Sequence, residues 1–150
     1  MSDIMTKSMA RNVFYGGSLF FIAIFGVLSV HSHLYAKNTA IDKAGLTESV
    51  AAGKHIWEKH ACINCHTILG EGAYFAPELG NVMVRWGVQD DPEAAVEALK
   101  TWMDAMPTGS EGRRQMPQFN LTDEEYRELS DFLIWTSKIN TQGWPPNEAG

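Results

Sequence analysis

From Asn12 to Ala36 the chain carries no Asp, Glu, Lys or Arg, and the stretch from Val13 to Val30 is almost wholly apolar. No other feature limits the fold so sharply. About 20 such residues, rising ~1.5 Å each, span the hydrocarbon core of a bilayer. A helix satisfies its own backbone groups there, which an extended segment cannot do. Tyr15 and Tyr35 stand toward opposite ends, where aromatic rings settle among headgroups. Two other readings compete. A buried soluble helix would be apolar all round, in a chain of 150 residues too small to surround it. A cleaved signal sequence has a shorter apolar core, about 7–15 residues, and a small-residue cleavage site that is not convincing here. The expectation is one uncleaved spanning helix set in membrane lipid. Lys7 and Arg11 precede it, which keeps the N-terminus cytoplasmic. In a bacterium the rest of the chain then lies on the periplasmic side of the inner membrane. Gly16, Gly17, Ser18 and Gly26 are small enough to admit a partner helix. His31 and His33, two apart, share no helical face and read as interfacial polar residues.

Beyond this segment the character changes. Nine of the 12 basic and 17 of the 18 acidic residues follow Lys37, a net charge of −8 for that part. Phosphate repels such a domain, so nucleic acid is excluded as a partner, whereas a basic protein face would be attracted. The length allows one small domain after the anchor. The sequence divides into a cytoplasmic N-terminus and anchor (1–36), a polar connector (37–47) and a domain from 48 to 150.

The domain reads as mainly α. Thr47 can cap a helix running from Val50 to Lys59, with Val50, Gly53 and Trp57 on one face, ending near His60–Cys62. Thr67–Gly80, rich in glycine and proline, reads as irregular. Asp91 and Pro92 suit the cap and first position of a helix over Glu93–Met103. Thr122 and Glu125 form a capping box. Tyr126, Leu129, Phe132, Leu133 and Thr136 follow with helical period, and Gly143, Pro145 and Pro146 exclude continuation. Three short helices joined by long ordered loops make a poor core unless something large fills the middle.

Cys62-Ile63-Asn64-Cys65-His66 names that filler. Two cysteines cannot make a four-cysteine zinc or iron–sulfur site. C-x-x-C-H is a c-type haem attachment signal. Two thiols about one turn apart reach two vinyl groups, and the adjacent imidazole meets the iron. A thioredoxin-like dithiol would need a βαβ setting, which is absent from the pattern. The chain is therefore expected to hold one covalently bound haem c in a class I-like monohaem domain, attached through Cys62 and Cys65 with His66 as an axial ligand. The second axial ligand has several candidates: Met83, Met103, Met106, Met116, His55 and His60. Met103 falls on a helix and reads as core. Met106 and Met116 both precede a proline in a loop, and the loop just before the terminal helix favours Met116. His55 and His60 lie beside the attachment motif, badly placed to reach the opposite haem face. A ligating imidazole usually donates its other N–H to a carbonyl, and Pro77 in the following loop is the candidate acceptor, against the reading of a simple turn proline.

Three longer blocks carry a resemblance. They are Gly70–Val82; Pro107-Thr108-Gly109 with Gly112–Leu121; and Phe132–Ile139 with Trp144-Pro145-Pro146-Asn147. Together they resemble the small, cytochrome c subunit of bacterial cytochrome c-dependent nitric oxide reductase, over essentially the whole chain. The resemblance implies an electron-transfer subunit, not an enzyme on its own. Its implied partners are a large multi-helix subunit with haem b and non-haem iron, where nitric oxide becomes nitrous oxide, and a soluble cytochrome c or similar donor. The family's thioether cysteines, proximal histidine and axial methionine fall on Cys62, Cys65, His66 and Met116. The alternatives are a membrane-anchored monohaem cytochrome serving another terminal oxidase or reductase, and a peroxidase-like haem protein, which would need an open sixth position. Asp90, Asp91, Glu93 and Glu97 crowd near the middle helix and could steer a basic donor. Arg113 and Arg114 could face haem propionates or the partner subunit.

Overall fold

The computed structural model describes residues 5–41 and 45–143. The prolines at 145 and 146, the block 144–147 and part of the expected connector, residues 42–44, lie outside them. The chain divides into two compact units, 1–40 and 41–150.

The first unit is one long helix, α1 (Lys7–Tyr35), extended by a π-helical turn at Ala36–Ala40. Thr6 caps its start by accepting a hydrogen bond from the Met9 N–H at 3.2 Å. The helix is long and apolar enough to cross a membrane. Phe14, Phe20, Phe21 and Phe25 are all exposed on it, Phe25 to 72 %. An apolar side chain exposed all round a helix needs an apolar solvent. The backbone stays helical to Ala40, so the first residues of the polar stretch continue the helix.

In the second unit, α2 (Glu48–Lys59), α4 (Pro92–Asp104) and α5 (Asp123–Ser137) surround the core. Each begins as the sequence leads one to expect. Thr47 caps α2, Asp91 caps α4 with Pro92 in its first turn, and Thr122 with Glu125 forms a reciprocal capping box on α5. The main interface joins α2 to α5. Val50, Gly53, Ile56 and Trp57 bury one face of α2, and the Trp57 and Phe132 rings meet at 6.5 Å. Gly53 lies at the crossing: a Cβ there would overlap the Glu128 carbonyl and sit 2.7 Å from Phe132 Cβ. The helix buries a glycine there because two backbones approach too closely for any side chain. At the periphery Lys59 pairs with Glu125 at 2.9 Å, and Ser49 donates to Asp131 at 2.6 Å.

Two elements were not expected. Inside Thr67–Gly80, β1 (Thr67–Ile68) pairs antiparallel with β2 (Glu71–Gly72). The intervening Leu69 and Gly70 both have positive φ, 53° and 82°. A two-residue turn with positive φ at both positions matches the twist of the strands it joins. A leucine in that conformation hides the signal, since Asn or Gly is the usual marker. The second is α3 (Val82–Arg85), a single turn too short for periodicity to reveal.

Candidate haem site

Helix α2 stops at Lys59, and Ala61, in the left-handed region at φ 52°, turns the chain. A 3-10 turn, Cys62–Asn64, follows. The N–H groups of Cys65 and His66 both donate to the Cys62 carbonyl, at 3.1 and 2.9 Å. The motif is thus wound into one tight turn. Burial pushes the Cys62 thiol up from 9.0 to about 11. A thiol in that state is a weak nucleophile at neutral pH, which disfavours the redox-dithiol reading.

Two cavities meet at this turn. One, of about 240 Å³, is lined by Cys62, Cys65, His66, Met116 and Phe119 among others. The other, of about 270 Å³, is lined by His66, Met116, Met106, Leu99, Trp86 and Arg85 among others. His66, Ala76 and Met116 belong to both. The fold therefore gathers the two thiols, the imidazole and the Met116 thioether around one largely apolar cleft.

His66 is fixed from behind. Its Nδ1 lies 2.8 Å from the Pro77 carbonyl oxygen. A carbonyl only accepts, so Nδ1 carries the proton and Nε2 keeps its lone pair for a metal. The Trp57 ring stands 6.4 Å from the imidazole.

The other ligand candidates separate by position. Met83 and Met103 are buried core residues. His55 is exposed and paired with Glu58 at 3.4 Å. His60 lines the smaller cavity. Its ring stands edge-on to Phe119 at 5.0 Å, and its Nε2 is buried without a hydrogen-bond partner among the described residues. Met106 lines the larger cavity, but the Thr108 hydroxyl donates to its sulfur at 3.8 Å.

Charged groups fall in unexpected places. Arg114 donates to the Asn64 carbonyl at 2.8 Å and lies over the Phe75 ring at 5.0 Å. It ties the Met116 loop to the attachment turn. The Arg113 N–H donates to the Ser110 carbonyl at 3.2 Å. Of the acidic group near the middle helix, Asp91 is a helix cap, Glu93 pairs with Arg127 at 2.8 Å, and Asp90 accepts from Gln89 at 3.0 Å. Arg85, which sequence reasoning passed over, lines the larger cavity. It donates to Asn81 and to the Glu78 carbonyl, both at 2.7 Å. Burial lowers its pKa, and the charge of Glu78 opposes that shift. An apolar slot with two thiols, a free imidazole nitrogen, a thioether and a guanidinium for carboxylates fits a haem.

Residues 50–137 match the cytochrome c family. The chain is 74% identical to the small, cytochrome c-type component of nitric oxide reductase from Paracoccus denitrificans over 150 residues, covering 100% of both chains. It is 66% identical to the same component from Cereibacter sphaeroides and 49% identical to that from Stutzerimonas stutzeri, again over the full length of each. The chain belongs to this family of nitric oxide reductase cytochrome c components.

Family membership sets the CxxCH spacing within a cytochrome c domain, and with it one covalently bound haem c. Arg85 and His60 carried no sequence signal, since nothing local distinguishes a cavity-lining arginine or histidine from a surface one. Only the tertiary fold brings α3 and the end of α2 to the cleft.

Proposed function

We propose that this chain is the non-catalytic electron-transfer subunit of a nitric oxide reductase. It accepts electrons singly from a soluble cytochrome c or similar donor. It passes them to a large multi-helix subunit whose haem b and non-haem iron reduce nitric oxide to nitrous oxide. The observation that carries this reading is that His66 and Met116 line the same cleft. With both axial places taken by side chains, no position is left for the nitrogen substrate. This also speaks against a peroxidase-like activity.

The haem supplies an iron that gains and loses one electron. Cys62 and Cys65 hold it covalently, which retains it in so small a core. His66, its Nδ1 engaged by Pro77, presents Nε2 in a fixed orientation. The Met116 thioether favours the ferrous state and raises the potential relative to a second imidazole. Leu99, Trp86 and Phe119 keep water from the cleft, and Arg85 is placed to meet the haem carboxylates. The proposed division is an anchor over 1–36, a connector over 37–47 and the haem domain over 48–150, with that domain on the periplasmic face of the inner membrane. Lys7 and Arg11 before the apolar run of α1 support that orientation.

Reconstitution tests the reading. Without this chain, the large subunit should lose turnover with the soluble donor and keep it with small artificial reductants. Comparable nitric oxide turnover by this chain alone would overturn it.

A further inference from the structure

We propose that Glu78 is a positioning residue for His66, acting through the carbonyl of Pro77. The proposal rests on the reading of His66 as an iron ligand. Glu78 is buried, 5 % exposed, in the loop behind the imidazole. Its Oε1 accepts from the N–H groups of Leu69 and Gly80, each at 2.8 Å, and its Oε2 from that of Gly70 at 3.3 Å. The two donors at 69 and 70 come from the left-handed turn between β1 and β2. That turn aims its amides inward, where nothing else would satisfy them. One carboxylate therefore locks the hairpin turn to the loop.

Pro77 cannot anchor itself, having no N–H. Its neighbours do so. The Ala76 N–H donates to the Cys65 carbonyl and that of Leu79 to the Thr67 carbonyl, each at 2.8 Å. The Glu78 carbonyl accepts from Arg85 at 2.7 Å. Thr67 and Glu78 form a parallel bridge, so the loop runs alongside the strand that leaves His66. Gly80 belongs to the same arrangement: a Cβ there would sit 2.7 Å from Glu78 Oε1. Removing the carboxylate's grip would let the Pro77 carbonyl drift from Nδ1. A weaker Nδ1–H bond makes the imidazole a poorer donor to iron, stabilises ferric iron less, and raises the potential.

The test uses the full-length holoprotein in detergent and three substitutions. Glu78→Asp keeps the charge and shortens the reach. Glu78→Gln keeps the shape and drops the charge. Glu71→Gln on β2 is the control. The readouts are exchange of the His66 Nδ1 proton by NMR and the reduction potential. Both Glu78 variants should exchange that proton about tenfold faster or more and have a raised potential, with the Met116–iron band unchanged. Glu71→Gln should move neither. A potential shift in Glu78→Gln alone, with exchange unchanged, would mean charge and not position, and would overturn the proposal. So would unchanged exchange in both variants. Failure of the underlying reading looks different: in the wild-type protein the His66 ring protons would lack the paramagnetic shifts of an iron ligand. A variant that fails to fold leaves the other to decide.

Discussion

Met116 and Met106 pose the sharpest residue-scale question, because both line a cavity shared with His66. Met116 alone also lines the one that holds both cysteines. Met116→Leu should therefore abolish the methionine-to-iron charge-transfer band and let carbon monoxide bind the ferrous protein. Met106→Leu, a swap of nearly equal volume, should keep the band and cost less than about 1.5 kcal/mol. Absorption spectra under carbon monoxide decide between them. The thiols and His66 were legible in the sequence because their chemistry is local, fixed by spacing within one turn. Glu78 and Arg85 were not, because their partners come from other segments of the fold. Asp91 and Glu93 show the reverse failure. They read as free surface charge, whereas one caps α4 and the other pairs with α5. A run of acids says nothing about which members already have work in the fold.

Helices α2 and α5 carry two further predictions. Gly53→Ala removes a helix-weakening glycine, worth about 1 kcal/mol in isolation. The new methyl would overlap the Glu128 backbone, which a rigid α5 cannot yield. The net effect should be a loss of about 1–3 kcal/mol, read as a lower thermal midpoint by circular dichroism. The second concerns acid. The Thr122 N–H, and then Lys59, hold the Glu125 carboxyl down from 4.5 to about 2. Its folded pKa is depressed, so its stabilisation is present above about 4.5 and lost as pH falls toward 2. Glu125→Gln should flatten the stability profile across that window and leave the protein less stable at neutral pH. Denaturant melts at stepped pH would show an unaltered slope if the box plays no part. Capping residues made α2, α4 and α5 legible, since an N-cap is a short-range signal. The β1–β2 hairpin escaped because Leu69 occupies a backbone region normally marked by glycine or asparagine, and α3 because one turn has no period.

At the scale of the whole molecule, the division of charge is the main lever. An acidic domain on an apolar anchor concentrates its field on the soluble side, where a basic donor would arrive. Asp90 and Glu97 are the candidates for steering with the fewest structural duties. Reduction by a lysine-rich donor in stopped flow should slow as salt rises. Neutralising both residues should lower the low-salt rate and barely change the high-salt rate. A rate indifferent to either change would remove steering from the account. The anchor and the mainly α domain were legible because an uncharged run and a haem motif each leave few structural alternatives. How the loops close around the cleft was not, because that depends on an object absent from the amino-acid sequence. The state of Cys62 bears on when that object arrives. Thioether formation needs a thiolate, and in the closed domain this sulfur holds its proton to about 11. The reaction belongs to an earlier moment, while the chain is open and the thiol titrates near 9.0. Attachment thus precedes closure, and a nascent chain that collapsed first would bury its own reactive sulfur and become a dead end of biogenesis.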